Sequence, residues 1–302
     1  MRALLPSWCP VLLWGLTLAC ATSPAAERVR SVERAAFFEE RGRWTEAGEV
    51  WRTLRLRDPA DVEAACGLAR ALAAQGESTG GLAVLTATRA RTGDDVRVCL
   101  DQARLLRRLG RAADALEAYR AAAAADPSRP APRIEGGALA LELGRHEDAG
   151  GLLEGAVLLY PDDAAAWAAL ARARAGAGRG TAALEAWERA FALGRTDPEG
   201  TLAAGRLALS LGTGLERAEA WLARARGLAP QDAGLARVHG EVGLALGRDE
   251  VAVPALRRTL ELDPGNLEVC EQLARVHERR GEVEAAARLR EHARAVKGSR
   301  DL

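Results

Sequence analysis

Glycine returns on a fixed beat along this chain, at Gly42, Gly76, Gly110, Gly144, Gly178, Gly212, Gly247 and Gly281. The spacing is 34 residues five times, then 35, then 34. With 31 glycines in 302 residues, eight in phase by chance has a probability on the order of 10⁻⁸ before choice of phase. Two columns of small residues keep step. One is Ala35, Ala69, Ala103, Gly137, Ala171, Gly205, Gly240 and Ala274; the other is Ala47, Gly81, Ala115, Ala149, Ala183, Ala218, Ala252 and Ala286. The second column shifts with the odd spacing, so the extra residue falls between Gly212 and Ala218. A period of this length restricts the chain to stacked supersecondary units, each burying its apolar face against its neighbours.

The units read as pairs of helices. Segments such as 164–177 and 181–193 carry apolar residues at three- and four-residue spacing. The periodic glycine suits the left-handed C-terminus of a first helix. Pro59, Pro127, Pro161, Pro230 and Pro264 stop the second helix and start the next unit. Composition agrees: 48% of residues are hydrophobic but only 4% aromatic, so the core is built from Ala, Leu and Val, which favours packed helices over sheets.

A 34-residue helix–turn–helix with this small, Gly, small, Pro series resembles the tetratricopeptide repeat. Large residues stand where that family packs its aromatics: Trp51, Leu85, Tyr119, Leu153, Trp187 and Leu256, with Trp167 early in its helix and Arg290 at the same place in the last unit. The resemblance implies an all-α solenoid of eight units, starting near Arg28, Val62, Val96, Pro130, Ala164, Pro198, Ala233 and Leu267, wound in a right-handed superhelix. It covers residues 28–297, with 298–302 as a tail. No long Ser/Gly/Pro-rich linker interrupts the series, so it reads as one domain.

Residues 1–19 differ from the rest. Arg2 precedes an apolar stretch from Pro10 to Ala19, too short to span a bilayer comfortably and fitting a secretory signal peptide. It closes on Ala19-Cys20, which resembles the lipobox of bacterial lipoproteins; the resemblance implies cleavage before Cys20, acylation of its thiol and a short tether over 20–27. Ala21 after that cysteine implies the outer rather than the inner membrane. Cys66, Cys99 and Cys270 then remain, an odd number with no CxxC, and read as small buried core residues.

Charge is balanced at 42 basic and 42 acidic residues, against a nucleic-acid binder. Histidine occurs only at positions 146, 239, 277 and 292, with no HExxH, paired-Cys zinc pattern, P-loop or GxSxG. His239 and His277 read as packed or hydrogen-bonded. The expectation is therefore no enzyme, cofactor or metal.

What remains is a binding groove. The resemblance implies that the second, fifth, ninth, twelfth and thirteenth residues of each unit face inward. The ninth position holds Arg70, Arg104, Arg172, Arg206 and Arg275, and unit three adds Arg97, Arg107 and Arg108. Such a ladder suits carboxylates of an acidic, extended peptide segment, with plain solvation as the alternative. Clamps for chaperone C-termini use inward Asn with Lys, yet the only Asn is Asn266 and the only Lys is Lys297. The whole reads as an envelope lipoprotein facing the periplasm, an adaptor or assembly factor that binds another envelope protein. The rival readings are a permanent structural component of a secretion, pilus or gliding machine and, behind it, a small-ligand binding protein.

Overall fold

Helix starts and stops are written locally. In the computed structural model, which describes residues 23–300, seven of the eight first helices open on a side-chain cap: Ser23, Asp61, Asp95, Asp163, Asp197, Asp232 and Asn266 each accept from a backbone N–H two or three residues on. The pairs are α1 (Pro24–Glu40) with α2 (Trp44–Arg57), α3 (Val62–Ala74) with α4 (Ser78–Thr92), α5 (Val96–Arg108) with α6 (Ala112–Ala125), and α7 (Ala131–Glu142) with α8 (His146–Leu159). They continue as α9 (Ala164–Gly176) with α10 (Gly180–Ala192), α11 (Pro198–Leu211) with α12 (Leu215–Leu228), α13 (Ala233–Ala245) with α14 (Asp249–Leu262), and α15 (Leu267–Arg279) with α16 (Val283–Arg300). The described residues contain no strand.

All eight periodic glycines have positive φ, between 66° and 89°, and no other residue type does among those described. The residue after each glycine returns its N–H to a carbonyl five residues back, as Arg43 does to Phe38 and Arg248 to Gly243. This closes the first helix and launches the second without a side-chain cap. The insertion sits in the turn Gly212-Thr213-Gly214, where Gly214 is also left-handed.

The chain start and end differ from the sequence reading. α1 begins at Pro24, inside the segment read as tether, because Ser23 caps it, Pro24 is pre-set at the first position and Glu27 lies in the first turn. At the other end α16 runs to Arg300, into the tail. The signal segment 1–19 and Cys20 lie outside the described residues. Where one domain was expected, contacts divide the chain into two compact units, one ending at Leu139 and one beginning at Ala140.

Within each unit the small columns are buried where helices meet. A Cβ on Gly81 would lie 2.9 Å from the Ala69 carbonyl oxygen, and one on Gly205 would lie 2.9 Å from Val238 Cγ1. The large column fills the space between: Trp51, Leu85, Tyr119, Leu153, Trp187 and Leu256 are all buried. Leu222 joins them, the member displaced by the insertion. In the first compact unit, Phe38, Trp51, Leu54, Leu68 and Leu72 form one core cluster, and Cys66, Leu85, Val98 and Leu105 the next. In the second, Leu184, Leu222, Leu235, Val238 and Val242 form one, and Val253, Leu256, Val269, Leu273 and Val276 another. Cys66, Cys99 and Cys270 are buried free thiols, and burial pushes all three up, Cys66 to about 12. No described helix is long and apolar enough to cross a membrane.

Candidate functional site

First helices of neighbouring units touch, as α3 does α5. Their second, fifth and ninth positions, Glu63, Cys66 and Arg70 on α3 and Arg97, Leu100 and Arg104 on α5, line a pocket of about 290 Å³ together with Asp101 and Arg129. The structure thus brings together Arg70, Arg97 and Arg104 from the expected ladder. Arg107 and Arg108 are exposed on the same helix without lining the pocket. Arg172, Arg206 and Arg275 are exposed in the second compact unit, where Arg275 pairs with Glu271 at 3.2 Å.

The ladder is matched by carboxylates. Arg70 stands 3.6 Å from both Glu39 and Asp101. Arg104 donates to Glu135 through Nε at 2.9 Å and Nη2 at 2.5 Å, and to Asp101 at 3.4 Å. Tyr119 donates its hydroxyl to the same Glu135 at 3.0 Å. Glu39, Arg70, Asp101, Arg104 and Glu135 therefore form one ionic chain across four repeats. Burial raises the Asp101 carboxyl above the usual carboxylate range, against the pull of Arg70 and Arg104. At Glu135 burial works the same way but loses: the Arg104 guanidinium, with Tyr119 behind it, holds that carboxyl low. Burial, with Glu135 beside it, pushes the Tyr119 hydroxyl up to about 12.

Two further cations line the pocket outside this ionic chain. Arg97 donates to Asp95, which also caps α5, from Nε at 3.3 Å and from Nη2 at 3.2 Å. Arg129 has Asp126 at 3.9 Å, too long for a hydrogen bond. Arg129 also has an unusual position. The repeat position held by Asp61, Asp95, Asp163, Asp197, Asp232 and Asn266 is a helix cap in those units; in the fourth unit it is Arg129, and α7 begins two residues later at Ala131. That departure was readable in the sequence and was not read, as were Glu63, Cys66 and Leu100 at inward positions. The acidic partners were not readable singly, because each depends on the stacking register.

The last unit closes its own charges. Arg290, at the aromatic place, pairs with Glu271 at 3.3 Å and with Glu278. Among the described residues no group of three or more His, Cys, Asp or Glu is placed to hold a metal. His277 is buried, with Nδ1 2.5 Å from a Glu282 carboxylate oxygen.

His239 is buried too, and its Nδ1 accepts from Arg226 Nη1 at 2.9 Å. Burial first and Arg226 second hold its imidazole down at about 4, against Glu219, which pulls the other way. The ordinary value is 6.5, so between pH 6.5 and 4 the unfolded chain binds the extra proton and the folded chain does not. Stability contributed here is complete above pH 6.5 and falls by up to about 3 kcal/mol on acidification towards pH 4. His239→Gln should flatten this acid limb in urea midpoints taken at neutral pH and near pH 5. An equally steep limb in the variant would assign it to other groups.

Family models described as tetratricopeptide repeat match residues 106–173, and residues 38–96 and 78–130. No curated protein sequence matches the chain. Among solved structures, MamA is 22% identical with a TM-score of 0.51, over 58% of this chain and 96% of MamA. YrrB, described as a TPR protein with an unusual peptide-binding site, is 19% identical with a TM-score of 0.53, over 61% of this chain and 95% of YrrB. The C-terminal part of a TPR repeat-containing protein from Cytophaga hutchinsonii is 18% identical with a TM-score of 0.58, over 79% of this chain and 97% of that one. These likenesses are to the fold, and a fold of this kind supports protein–protein interaction.

Proposed function

Since the chain belongs to the tetratricopeptide-repeat family, we propose that it is a non-enzymatic adaptor or assembly factor of the bacterial cell envelope. Its α3–α5 pocket takes a carboxylate from an extended segment of another envelope protein. The observation that carries this is the convergence of Arg70, Arg97, Arg104 and Arg129 on one pocket against only Glu63 and Asp101 in its lining. All four guanidiniums are partly exposed, and Arg129, whose nearest carboxylate stands at 3.9 Å, keeps its donors for an incoming group. Planar guanidiniums favour such a group by paired, charge-assisted hydrogen bonds. Acylation of Cys20 fastens the chain to the outer membrane, with the repeats in the periplasm.

Capture from a native envelope extract by cross-linking pulldown tests this. Arg97→Glu with Arg129→Glu should lose the captured protein while keeping helical content, and high salt should release it from wild type. Capture that survives both treatments contradicts the pocket. Cys20→Ser should move the protein into the soluble fraction; retention would contradict the lipid anchor.

One observation favours a second reading, a component built permanently into a larger machine. Helix α4 is uncharged from Ser78 to Thr88, and with Leu109 and Arg111 it borders an open, mainly apolar groove of about 750 Å³. A stoichiometric partner that resists high salt would select that reading.

A further inference from the structure

The second compact unit carries a pocket of its own, remote in sequence from the α3–α5 pocket and built from different chemistry. Helix α10 ends at Ala192, and Gly194 beyond its cap is left-handed with φ 91°. The chain then needs Leu193–Asp197 to reach α11. This leaves a recess of about 280 Å³ between α10 and α12, lined by Glu188, Phe191, Ala192, Arg195, Trp221 and Arg224, with Thr196 and Thr201 beneath.

Its walls are aromatic. Trp187 and Phe191 stack with centroids 5.5 Å apart and planes 15° apart, and Phe191 meets Trp221 at 4.9 Å and 55°. Trp187 is fully buried, whereas Trp221 is half-buried and lines the recess. Aromatic side chains bind other rings through such offset and tilted geometries, which add to the area they bury.

The charges around the recess choose the ligand's sign. Glu188 is paired with Arg217, and Arg195 with Asp197. Arg224 is exposed, one helical turn beyond Trp221, and has no ion-pair partner among the described residues. The rim therefore carries one uncompensated positive charge, which repels an ammonium or guanidinium and attracts a carboxylate. At about 280 Å³ the recess stands at the lower end of the range of ligand pockets, roughly 300–1,000 Å³, with room for a single ring. It lacks convergent buried polar groups to orient a free small molecule, because the Thr201 hydroxyl is spent on the Asp197 carbonyl.

We propose that this recess is a second peptide-binding site, which seats one aromatic side chain against the contacting pair Phe191 and Trp221 while an adjacent Asp or Glu of the same segment pairs with Arg224. Its occupant differs from that of the α3–α5 pocket, which asks for acid alone, and neither site depends on the other.

Random heptapeptides displayed on phage and panned on the purified protein test this. Wild type should enrich Phe, Tyr or Trp beside Asp or Glu. Trp221→Ala should lose that enrichment, Trp221→Phe should keep it, and Arg224→Glu should keep the ring and lose the acid. For the best peptide, anisotropy should show at least about tenfold weaker binding to Trp221→Ala and no change with Arg97→Glu plus Arg129→Glu. Circular dichroism checks that each variant is folded. Absence of aromatic–acidic enrichment, or enrichment that survives Trp221→Ala, would overturn the proposal. Phenylacetate alone quenching Trp221 as tightly as the peptide binds would overturn the peptide assignment in favour of a free aromatic acid.

Discussion

Replacing Trp187 with alanine should cost the second compact unit about 3–5 kcal/mol, the range for deleting a large buried aromatic. Trp187 is 2% exposed, stacks on Phe191 and fills a space held open by Gly200, where a Cβ would lie 2.7 Å from the indole ring. Neither neighbour can collapse into the void, because Gly200 has no side chain and Phe191 is braced by Trp221. In a stacked repeat, such a loss is felt by the units that share the interface. Hydrogen exchange should therefore show faster amides in α9 to α12, with α1 to α4 unchanged. Uniform loss across all sixteen described helices would contradict nearest-neighbour stacking.

Gly240→Val should also destabilise the second compact unit, for the opposite reason. A Cβ at Gly240 would sit 2.5 Å from Leu256 Cγ and 3.3 Å from the Leu256 backbone nitrogen. The side chain cannot yield far, since Leu256 is fully buried, and the backbone cannot yield cheaply. Overpacking of this kind costs about 1–3 kcal/mol and sometimes more. The matched control is Gly150→Ala in the middle of α8, where nothing lies within 4 Å of the new Cβ. That change should raise stability by about 0.5–1 kcal/mol, the gain from removing a helix-interior glycine. Urea midpoints check both signs in one series. If both substitutions destabilise alike, close helix approach is not why this column is small.

Much of this was legible in the sequence because it is periodic. A glycine needed at positive φ, a small residue where helices cross and a large one between them recur every 34 residues, so eight copies vote on each column. Features that occur once were harder to see. Leu222 fell out of the large column because the insertion at Gly214 moved it by one residue. The start at Pro24 was written in Ser23-Pro24 and Glu27, but the repeat register pointed to Arg28. The charge partners of the ladder obey a rule that only stacking reveals. Arg104 reaches Glu135, and Arg237 reaches Glu268, both 31 residues ahead. Arg70 likewise reaches Asp101, so arginines read as free cations became an ionic chain. Arg129 was hidden by its place in a loop, although it breaks a column of helix caps.

An acidic segment of a partner that enters the α3–α5 pocket should be caught there by site-specific photo-crosslinking. A benzoylphenylalanine replaces Glu63, which lines the pocket without being one of its cations, or, in a second protein, the exposed Ala83 in the α4 groove. After irradiation in native envelopes, peptide mapping locates the partner residues joined to each. Adducts from position 63 should map to an Asp- or Glu-rich extended segment, with few from position 83. Adducts concentrated at position 83 with none at 63 would overturn the pocket assignment and make the apolar face of α4 the seat of the partner.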